Sequence, residues 1–378
     1  MKWKTVLLGN IVVQDKKIVL PESADARFRP YLGLEQIESG TGAILSYETC
    51  SVEAKSTTFA FEDTHVLYGK LRPYLNKVAV PDRSGRCSTE IIPLKPKGVD
   101  KDYLALLLRS EQVVNAAMTD KTGSRMPRAD MDSLLGLEIS VHDSVDAQRQ
   151  IATRLKTQLA EVETARQAAQ TQLKETSKLA DAIIFDSIHR SIASVQSLGD
   201  VLDEVKKGIG SGWANYPVLG ATRRGLAPAK EQPGKQAPKY KPVFPGTVFY
   251  NPMRILIGSI AFVDEDDTPG ITSPDYVVLQ GKAGIVDSRW FYHWLRSSLG
   301  EQCILSLARG AVRERMLFNR LAEGEIELPS FAAQQKASGA LRELKPMQRA
   351  IERQLAEIDL LPQKILAQAF NQQDDDHD

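Results

Sequence analysis

Two parts of the chain show the same succession of hydrophobic and polar positions. Short alternating or apolar segments, bounded by Gly, Pro and Asp, come first in each part and predict β-strands. These segments are residues 64–68, 77–80, 88–94, 246–250 and 259–263. An amphipathic helix follows in each part. One is predicted at about residues 101–118 with Asp100 as its N-cap, and the other begins at about Ser288 after Asp287.

A long helical segment follows each of these parts. Residues 145–190 contain neither Pro nor Gly, and apolar residues recur there mostly in alternating steps of three and four. The repeating positions are Ile151, Leu155, Leu159, Val162, Arg166, Ala169, Leu173, Thr176, Ala180 and Ile183 in the first segment, and Ala337, Leu341, Leu344, Gln348, Ile351, Leu355, Ile358, Pro362, Ile365 and Ala369 in the second. This heptad spacing predicts two coiled-coil helices. Pro346 and Pro362 are expected to bend or break the second one.

The two parts are copies of one unit. Matching residues follow one another in the same order at a nearly constant offset, which indicates a duplication. The matches are Val66 to Arg72 with Val248 to Arg254 at an offset of 182, Ser88 to Glu90 with Ser273 to Asp275 at 185, Leu108 to Ser110 with Leu295 to Ser297 at 187, Gly123 with Gly310 at 187, and Gln148 with Gln334 at 186.

The repeat and the helices together predict an α+β fold. Two domains of mixed β-structure with short helices are joined by two long antiparallel coiled-coil helices, with a pseudo-two-fold internal repeat. Polar heptad positions such as Arg166 and Gln348 also leave room for helices from another protein. The predicted boundaries are 1–144 for the first domain, 145–192 for the first long helix, 193–330 for the second domain, 331–371 for the second long helix and 372–378 for an acidic disordered tail.

Composition and charge restrict the classes of function. The 378 residues include 48 basic and 48 acidic ones, so the chain does not suit a protein that coats nucleic acid by charge alone, although local basic surfaces remain open. The three cysteines lie far apart, without metal-ligand spacing, and suit a reducing compartment. No apolar run approaches membrane-spanning length and the start is a poor signal peptide, so we expect a cytoplasmic protein.

Two short motifs resemble those of a known family. The sequence Tyr-Gly-Lys-Leu-Arg-Pro-Tyr-Leu-Asn-Lys at 68–77, followed by Cys-Ser-Thr-Glu at 87–90, resembles the target-recognition-domain motif of specificity subunits of type I restriction–modification enzymes. The sequence Tyr-Asn-Pro-Met-Arg at 250–254, followed by Ser-Pro-Asp-Tyr at 273–276, resembles a second variant of that motif. The paired long helices are similar to the conserved spacer regions of the family, so the resemblance covers nearly the whole chain apart from the acidic tail.

This resemblance implies a function without catalysis. Each recognition domain would read one half of a split target in double-stranded DNA. The spacer helices would bind two methylation subunits, which carry the cofactor S-adenosylmethionine, and restriction-translocation subunits would join them. The prolines of the second helix depart from the pattern and put its straightness in doubt.

The predicted geometry would set the spacing of such a target. About 45 helical residues at ~1.5 Å each span roughly 65 to 70 Å. Two DNA-reading domains at the ends of an antiparallel pair of this length would contact DNA about one and a half to two turns apart. Because the two domains differ in sequence, the target is expected to be two short, unlike sequences around an unread spacer.

Three groups of basic residues are candidates for contact with DNA, since Lys and Arg bind the phosphates that supply much of the affinity. The first group lies in the two motifs and comprises Lys70, Arg72 and Arg254. The second follows the amphipathic helices, in loops whose Gly and small polar residues suit phosphate, and comprises Lys121, Arg125, Arg128, Arg309, Arg313 and Arg315. The third is a Pro- and Gly-rich loop in which six basic residues stand against Glu231, namely Arg223, Arg224, Lys230, Lys235, Lys239 and Lys241.

Each group also has a purely structural interpretation. The motif arginines could pair internally with Glu90 and Asp275, which occupy equivalent places in the two copies. Features shared by domains that read different sequences are more typical of a scaffold than of a base-reading surface. The basic loops could simply be solvated. The residues that read bases cannot be named from the sequence.

The sequence offers little for catalysis. The glycine cluster at 208–212 precedes no convincing helix and does not suit a cofactor loop. Asn-Pro-Met at 251–253 matches only part of the Asn-Pro-Pro-aromatic motif of amino methyltransferases. The five histidines lack metal spacing. We therefore expect no catalytic residue, metal or cofactor in the chain itself. The alternatives are a self-contained methyltransferase or nuclease, and a coiled-coil interaction scaffold without DNA specificity.

Overall fold

A computed structural model describes residues 2–48, 56–119, 125–229, 232–234, 236–308 and 315–370. The chain divides into two compact units. Unit 1 comprises Met1–Ala168 together with Leu355–Asp378, and unit 2 comprises Ala169–Gln354. Each unit therefore includes part of both long helical segments. The acidic tail predicted at 372–378 lies outside the described residues.

Unit 1 is built on two four-stranded sheets. Its elements before the first long helix are β1 (Trp3–Leu7), α1 (Leu8–Ile11), β2 (Val12–Gln14), β3 (Ile18–Val19), α2 (Ala24–Phe28), β4 (Tyr31–Leu32), β5 (Thr58–Phe61), β6 (Val66–Gly69), β7 (Val78–Ala79), β8 (Gly85–Ser88), β9 (Ile91–Pro96), α3 (Lys101–Leu108), α4 (Glu111–Met118), α5 (Met131–Leu135) and β10 (Glu138–His142). The strand orders are β2-β9-β6-β7 and β3-β5-β8-β4, and β1 pairs with β10. Neighbouring strands are antiparallel, but β4 and β8 are parallel.

Unit 2 repeats the first of these sheets. The long helix α6 (Val145–His189) leads into it, and its other elements are β11 (Ser194–Ser197), α7 (Leu198–Val201), β12 (Leu202–Glu204), β13 (Leu219–Thr222), β14 (Gly225–Pro228), β15 (Lys241–Val243), β16 (Val248–Tyr250), β17 (Ile260–Phe262), β18 (Gly270–Thr272), β19 (Val277–Gly281), α8 (Ser288–Arg296), α9 (Ser298–Leu307), α10 (Phe318–Leu321), β20 (Glu325–Leu328) and α11 (Phe331–Phe370). The order β12-β19-β16-β17 corresponds strand by strand to β2-β9-β6-β7. The internal repeat and the α+β fold predicted from the sequence are confirmed.

The amphipathic helix predicted in each part is in fact two helices. In unit 1, α3 ends at Leu108 and α4 begins at Glu111, because Ser110 takes an extended conformation with ψ near 153°. In unit 2, Ser297 separates α8 from α9 with ψ near 171°, and its hydroxyl accepts a hydrogen bond from the Gly300 amide. Serine favours this N-cap position, since its side chain can replace the missing helical partner. The strand predicted at 88–94 is likewise two strands, separated by a turn at residues 89–90.

The second long helix runs through both of its prolines. The helix α11 is unbroken from Phe331 to Phe370, so the expectation of a break at Pro346 or Pro362 is wrong. A proline inside a helix removes one backbone hydrogen bond and crowds the preceding turn. Buried apolar residues on each side offset this cost, among them Leu344 in unit 2 and Leu366 in unit 1.

The two long helices are antiparallel, as the heptad pattern predicts. In unit 1, Leu155 near the start of α6 and Phe370 at the end of α11 share one hydrophobic core, in which the rings of Tyr103 and Phe370 meet edge to face at 5.3 Å. In unit 2, Ile184 near the end of α6 and Leu341 near the start of α11 share another core. Each core also contains one face of the four-stranded sheet, so sheet and helices fold as one piece within each unit.

A buried glutamine joins each long helix to its globular part. In unit 1, the amide of Asp100 donates a 2.8 Å hydrogen bond to Gln148 Oε1, and Gln148 Nε2 donates to the His142 carbonyl at 2.6 Å. The carboxylate of Asp100 meanwhile caps α3 by accepting bonds from two amides of its first turn. The side chain of Gln148 is buried, and both of its hydrogen bonds are made with backbone groups. Position 148 therefore requires an amide side chain, which can donate one hydrogen bond and accept another.

Unit 2 contains the same arrangement. The amide of Asp287, the N-cap of α8, donates to Gln334 Oε1 at 2.9 Å, and Gln334 Nε2 donates to the carbonyls of Ile285 and Pro329 at 2.9 Å. Gln334 has no solvent exposure. The glutamine match at an offset of 186 is therefore a duplicated junction between a long helix and the N-cap of a short one.

An acidic loop makes a second connection within unit 2. Asp264 and Asp267 are almost fully buried as side chains and pair with Lys345 of α11 at 3.2 and 3.0 Å, and Arg349 reaches Asp267 at 2.7 Å. Asp264 also pairs with the largely buried Arg289 of α8. Burial alone would raise the pKa of Asp264, but its hydrogen bonds with Arg289, the Glu265 amide and Lys345 together outweigh this and hold the pKa at about 2. Residues 264–267 thus connect the loop after β17 to α11.

Replacing Gln148 with Leu tests the glutamine junction. The change leaves the Asp100 amide and the His142 carbonyl buried without a partner, so we expect the free energy of unfolding to fall by about 1–3 kcal/mol. Urea denaturation followed by circular dichroism measures the change. Gln170→Leu, at an exposed position of α6, is the control and should change stability by less than about 0.5 kcal/mol. Equal effects of the two substitutions would refute the role of the junction.

Candidate nucleic-acid interface

The motif loop of unit 1, residues 70–76, is a tight turn at the end of β6. Arg72 and Asn76 both adopt the left-handed conformation, with φ of 52° and 49°, on either side of a short 3-10 helix at Pro73–Leu75. Asn76 is buried and its Nδ2 donates to the Arg109 carbonyl at 2.8 Å, which fixes the end of the turn. Arg72 is exposed, and among the described residues its guanidinium has no hydrogen-bond or ion-pair partner.

A second loop is bound to this turn by backbone hydrogen bonds. The Arg72 amide donates to the Pro127 carbonyl at 2.7 Å, and the Ala129 amide donates to the Lys70 carbonyl at 2.8 Å. In unit 2, the Met316 amide donates to the Pro252 carbonyl at 3.0 Å. Because Met316 and Pro252 are the repeat counterparts of Ala129 and Lys70, the first and second candidate groups lie side by side in both units.

An arginine–carboxylate pair holds the two loops together. In unit 1, Nε and Nη2 of Arg128 both donate to the carboxylate of Glu90, at 2.9 to 3.1 Å, and Lys70 Nζ lies 4.0 Å from the same carboxylate. In unit 2, Arg315 Nη2 lies 3.3 Å from Asp275 Oδ1. The structural interpretation of Arg72 and Arg254 was that they pair with Glu90 and Asp275. In the structure, Arg128 pairs with Glu90 and Arg315 pairs with Asp275 instead.

This pairing leaves part of Arg128 available. The guanidinium uses Nε and Nη2 for Glu90, while Nη1 makes no hydrogen bond within the described part of the chain. The side chain is half exposed. Glu90 therefore holds Arg128 in one orientation with its free edge able to contact an anion, which lowers the entropy cost of binding one.

Unit 2 brings two candidate groups to one place. Arg223 and Arg224 form the exposed turn between β13 and β14, where Gly225 has a φ of 100° that other residues rarely adopt. Arg296 Nη2 donates to the Arg223 carbonyl at 2.8 Å, and its Nη1 donates to the carbonyls of Ile260 at 3.1 Å and Gly258 at 3.3 Å. Arg296 therefore ties the basic turn to the motif loop.

The resulting surface carries unpaired positive charge beside a cleft. Arg254 is exposed and, like Arg223 and Arg224, has no side-chain partner among the residues that the structure describes. A cleft of about 200 Å³ lies between Arg223, Ile257 and Arg296. Glu301 also lines this cleft, and none of the three exposed guanidinium groups makes an ion pair with a described residue, so this face of unit 2 is locally basic on a chain whose net charge is zero.

The remaining candidates fall into three classes. Arg125 and Lys239 are exposed, and neither side chain has a partner among the described residues. Lys241 is anchored, since its Nζ donates to the Tyr276 carbonyl at 2.7 Å and burial lowers its pKa. Other candidate residues lie outside the described part of the chain, namely Lys121, Lys230, Lys235, Arg309 and Arg313.

Sequence reasoning missed Arg296 and its counterpart Arg109. Arg109 Nη2 donates to the Gly40 carbonyl at 2.6 Å, so both arginines bind backbone carbonyls and hold loops in place. The signal was present, because both belong to the repeated Leu-Arg-Ser sequence at 108–110 and 295–297. That match indicated duplication, but a sequence does not show that a charged side chain binds the carbonyls of a distant loop.

The described residues show no other kind of site. They contain no group of three His, Cys, Asp or Glu side chains placed to hold a metal ion. Nor do they include a helix with both the length and the apolar character needed to cross a membrane.

Comparisons with known proteins agree with the motifs. No family model matches the chain. The specificity subunit of the type I restriction enzyme EcoDI of Escherichia coli is 23% identical over 155 residues, which cover 41% of this chain and 34% of that protein. A chain from a structure of type I restriction–modification complex assembly and conformational transition aligns over 97% of both chains, with a TM-score of 0.68 and 18% identity. The fold is that of a type I restriction–modification subunit.

Two further structures align over most of the chain at lower similarity. The HsdS subunit of Thermoanaerobacter tengcongensis gives a TM-score of 0.48 at 18% identity, and an S subunit from M. genitalium gives 0.49 at 14% identity. Scores at this level add no argument of their own. The resemblance to type I specificity subunits that the two motifs indicate is confirmed by the sequence match and the shared fold.

Replacing Glu90 with Ala tests whether its pair with Arg128 fixes the loop. The pair is partly exposed, so its loss should raise amide exchange at residues 125–129 by roughly 1.4- to 5-fold. Hydrogen–deuterium exchange with mass spectrometry measures this. Asp82→Ala is a matched control, because Asp82 makes a similar two-point contact with Arg83 in another loop. Unchanged exchange at 125–129 in the Glu90 variant would show that the backbone hydrogen bonds suffice.

Proposed function

We propose that the chain is the non-catalytic DNA-recognition subunit of a type I restriction–modification complex. The observation that carries this proposal is the duplicated interface. Each unit presents an exposed motif arginine, Arg72 or Arg254, on a rigid turn that is bound to a second loop containing Arg128 or Arg315. Unpaired guanidinium groups on a fixed backbone suit phosphate oxygens, because binding a phosphate takes both a positive charge and well-placed hydrogen-bond donors.

The two units would read different sequences. Their scaffolds match, whereas exposed residues on the scaffolds differ. Residues 31–40 align with residues 216–225 at an offset of 185, so the basic turn Arg223–Arg224 of unit 2 corresponds to Glu38 and Ser39 in unit 1. The proposed target is accordingly two short, unlike half-sites. An unread spacer separates them, and we expect the half-sites to lie about one and a half to two DNA turns apart, as estimated from the helix length.

The partners follow from the same proposal. The long helices would dock two methylation subunits, which would bring S-adenosylmethionine, and restriction-translocation subunits would complete the complex in the cytoplasm. The E. coli relative is named as a specificity subunit, and the matching solved structure concerns complex assembly in a type I system. Both support an assembly role for this chain.

Selection from a library of random duplexes tests the proposal against its alternatives. The chain together with its methylation subunits should enrich one bipartite sequence, and the chain alone should neither methylate nor cut DNA. Enrichment of no sequence would favour a coiled-coil scaffold without DNA specificity. Methylation or cleavage by the purified chain would instead show an enzyme.

Replacing Arg72 or Arg254 with Ala tests the phosphate contacts. Each variant should bind all duplexes more weakly, and the slope of log affinity against log salt concentration should fall by about one unit, because one fewer counterion is released. Fluorescence anisotropy at several salt concentrations measures both quantities. Arg190→Ala serves as the control. Arg190 directly follows α6, and its exposed side chain pairs with Asp186. A salt slope equal to that of the control would exclude the phosphate contact.

A further inference from the structure

The basic turn of unit 2 lies outside the motif, and an arginine that is repeated in both units holds it in place. In unit 2, Arg296 Nη2 donates to the Arg223 carbonyl at 2.8 Å. In unit 1, its counterpart Arg109 donates to the Gly40 carbonyl at 2.6 Å. Both carbonyls belong to the segments that align at an offset of 185. The two units therefore hold corresponding turns by the same means.

These corresponding turns adjoin the motif turn in each unit. In unit 1, the Gly40 amide donates to the carbonyl of Leu75, a residue of the motif turn, at 3.1 Å. In unit 2, Arg296 Nη1 donates to the carbonyl of Gly258 at the end of the motif turn, at 3.3 Å. A molecule bound at either motif turn is therefore within reach of the side chains that the neighbouring turn displays.

The displayed side chains differ between the units. Arg223 corresponds to Glu38, and Arg224 corresponds to Ser39. Glu38 is used within unit 1, where its carboxylate lies 3.8 Å from Arg166 of α6. Ser39 and Arg224 are both exposed, and neither arginine of the basic turn has a side-chain partner in the described part of the chain. A constant frame that displays unlike side chains is what two unlike half-sites require.

The backbone of the basic turn is fixed without the help of its own guanidinium groups. The hydroxyl of Thr222 accepts a hydrogen bond from the Arg224 amide at 3.2 Å and donates to the Gly225 carbonyl at 3.0 Å. The hydroxyl of Ser259 donates to the Ala221 carbonyl at 2.7 Å, which joins β13 to the start of β17. A fixed backbone lowers the entropy cost of placing the arginines against a ligand.

The two arginines of the turn occupy different places. A Cβ added at Gly258 would lie 3.8 Å from Arg223 Cγ, and Arg223 lines the cleft beside the motif turn. Arg224 is not among the described residues that line this cleft. Arg223 therefore suits a phosphate next to the one that Arg254 would bind, whereas Arg224 is available for a different contact.

The shape of the hairpin and the type of side chain favour a base contact in the major groove. The strands β13 and β14 form a two-stranded ribbon with Arg223 and Arg224 as its turn. Such a ribbon fits the major groove, where arginine most often donates two hydrogen bonds to O6 and N7 of guanine. Phosphates are the same in every sequence, so a phosphate contact alone does not explain an arginine in one unit and Ser39 in the other.

We propose that the turn between β13 and β14 enters the major groove of the half-site that unit 2 selects, and that Arg224 reads a guanine there. Arg223 binds a phosphate beside it. Unit 1, which has Ser39 at the corresponding position, selects its half-site without this arginine contact. This inference rests on the proposed DNA-recognition function and names a specificity residue outside the shared motif.

Replacing Arg224 with Gln tests the proposal in the chain assembled with its methylation subunits. Selection from random duplexes gives the base preference at every position of the target. In the variant, a guanine preference at one position of one half-site should fall by about 5- to 150-fold, and the other half-site should keep its preferences. The positions that respond identify the half-site that unit 2 reads.

The same substitution at two other arginines provides the controls. Arg223→Gln should weaken binding to all duplexes to a similar degree, keep the base preferences, and lower the slope of log affinity against log salt concentration by about one unit. Arg190→Gln changes an exposed arginine that pairs with Asp186 directly after α6. It should keep both the preferences and the salt slope of the wild type.

Modified guanines report which edge of the base is contacted. A 7-deazaguanine lacks the N7 acceptor of the major groove, whereas hypoxanthine lacks only the amino group that guanine presents in the minor groove. With 7-deazaguanine at the responding position, wild-type affinity should fall by about 3- to 10-fold, and the affinity of Arg224→Gln should not change. Hypoxanthine at that position should change either affinity by less than about 2-fold.

The outcomes distinguish this inference from the proposed function. Unchanged guanine preference in Arg224→Gln, in a complex whose wild type is selective, would overturn the inference and leave the DNA-recognition function standing. A loss of wild-type affinity with hypoxanthine but not with 7-deazaguanine would also overturn it. The wild-type measurement needs no variant, so 7-deazaguanine without effect at every guanine of the target would overturn it even where Arg224→Gln fails to fold. A wild-type complex with no base preference would overturn both proposals.

Discussion

A buried glutamine side chain couples each long helix to the N-cap of a short one, and the arrangement of both units depends on this junction. Gln148 and Gln334 are enclosed, and each satisfies the amide of an N-cap aspartate that already caps its helix with its carboxylate. Both glutamine side chains are buried from water, so a change in the angle between helix and sheet would leave their polar groups unpaired at a cost of about 1–3 kcal/mol each. Each junction therefore fixes the orientation of a long helix relative to the short helix of the same unit.

The repeat separates what must be constant from what must vary. The constant parts hold each unit together: the glutamine junctions, the Leu-Arg-Ser arginines on backbone carbonyls, and the backbone bonds that join the motif turn to the second loop. The varying parts face outward, as Arg223 and Arg224 do in unit 2, where unit 1 has Glu38 and Ser39. A recognition protein with this division can change its target by altering a few exposed side chains, because none of them contributes to the packed core. The shared arginines fit a role in affinity, since phosphates are the same at every base pair.

Much of the fold follows from the sequence, because duplication and heptad spacing extend over many residues. The 45-residue helix α6, the motif strands and the repeat were predictable from periodicity and offset alone. The break at Ser110, the unbroken course of α11 through Pro346 and Pro362, and the pairing of Glu90 with Arg128 were not. The last two depend on contacts between distant segments. Tertiary packing overrides local preference at the prolines, and Arg128, 38 residues from Glu90, pairs with the carboxylate that was expected to pair with a nearer arginine. Exposure of particular side chains on a turn is likewise a property of the fold that the sequence does not show.

The proposed function predicts a DNA target that is split because the unit is duplicated, and asymmetric because the copies have diverged. The target can be read by sequencing that detects methylated bases, applied to DNA from cells that carry this chain with its methylation subunits. The predicted result is one motif of two short, unlike sequences separated by a spacer of constant length in which all bases occur. A single contiguous motif, or two half-sites whose separation varies from site to site, would contradict it.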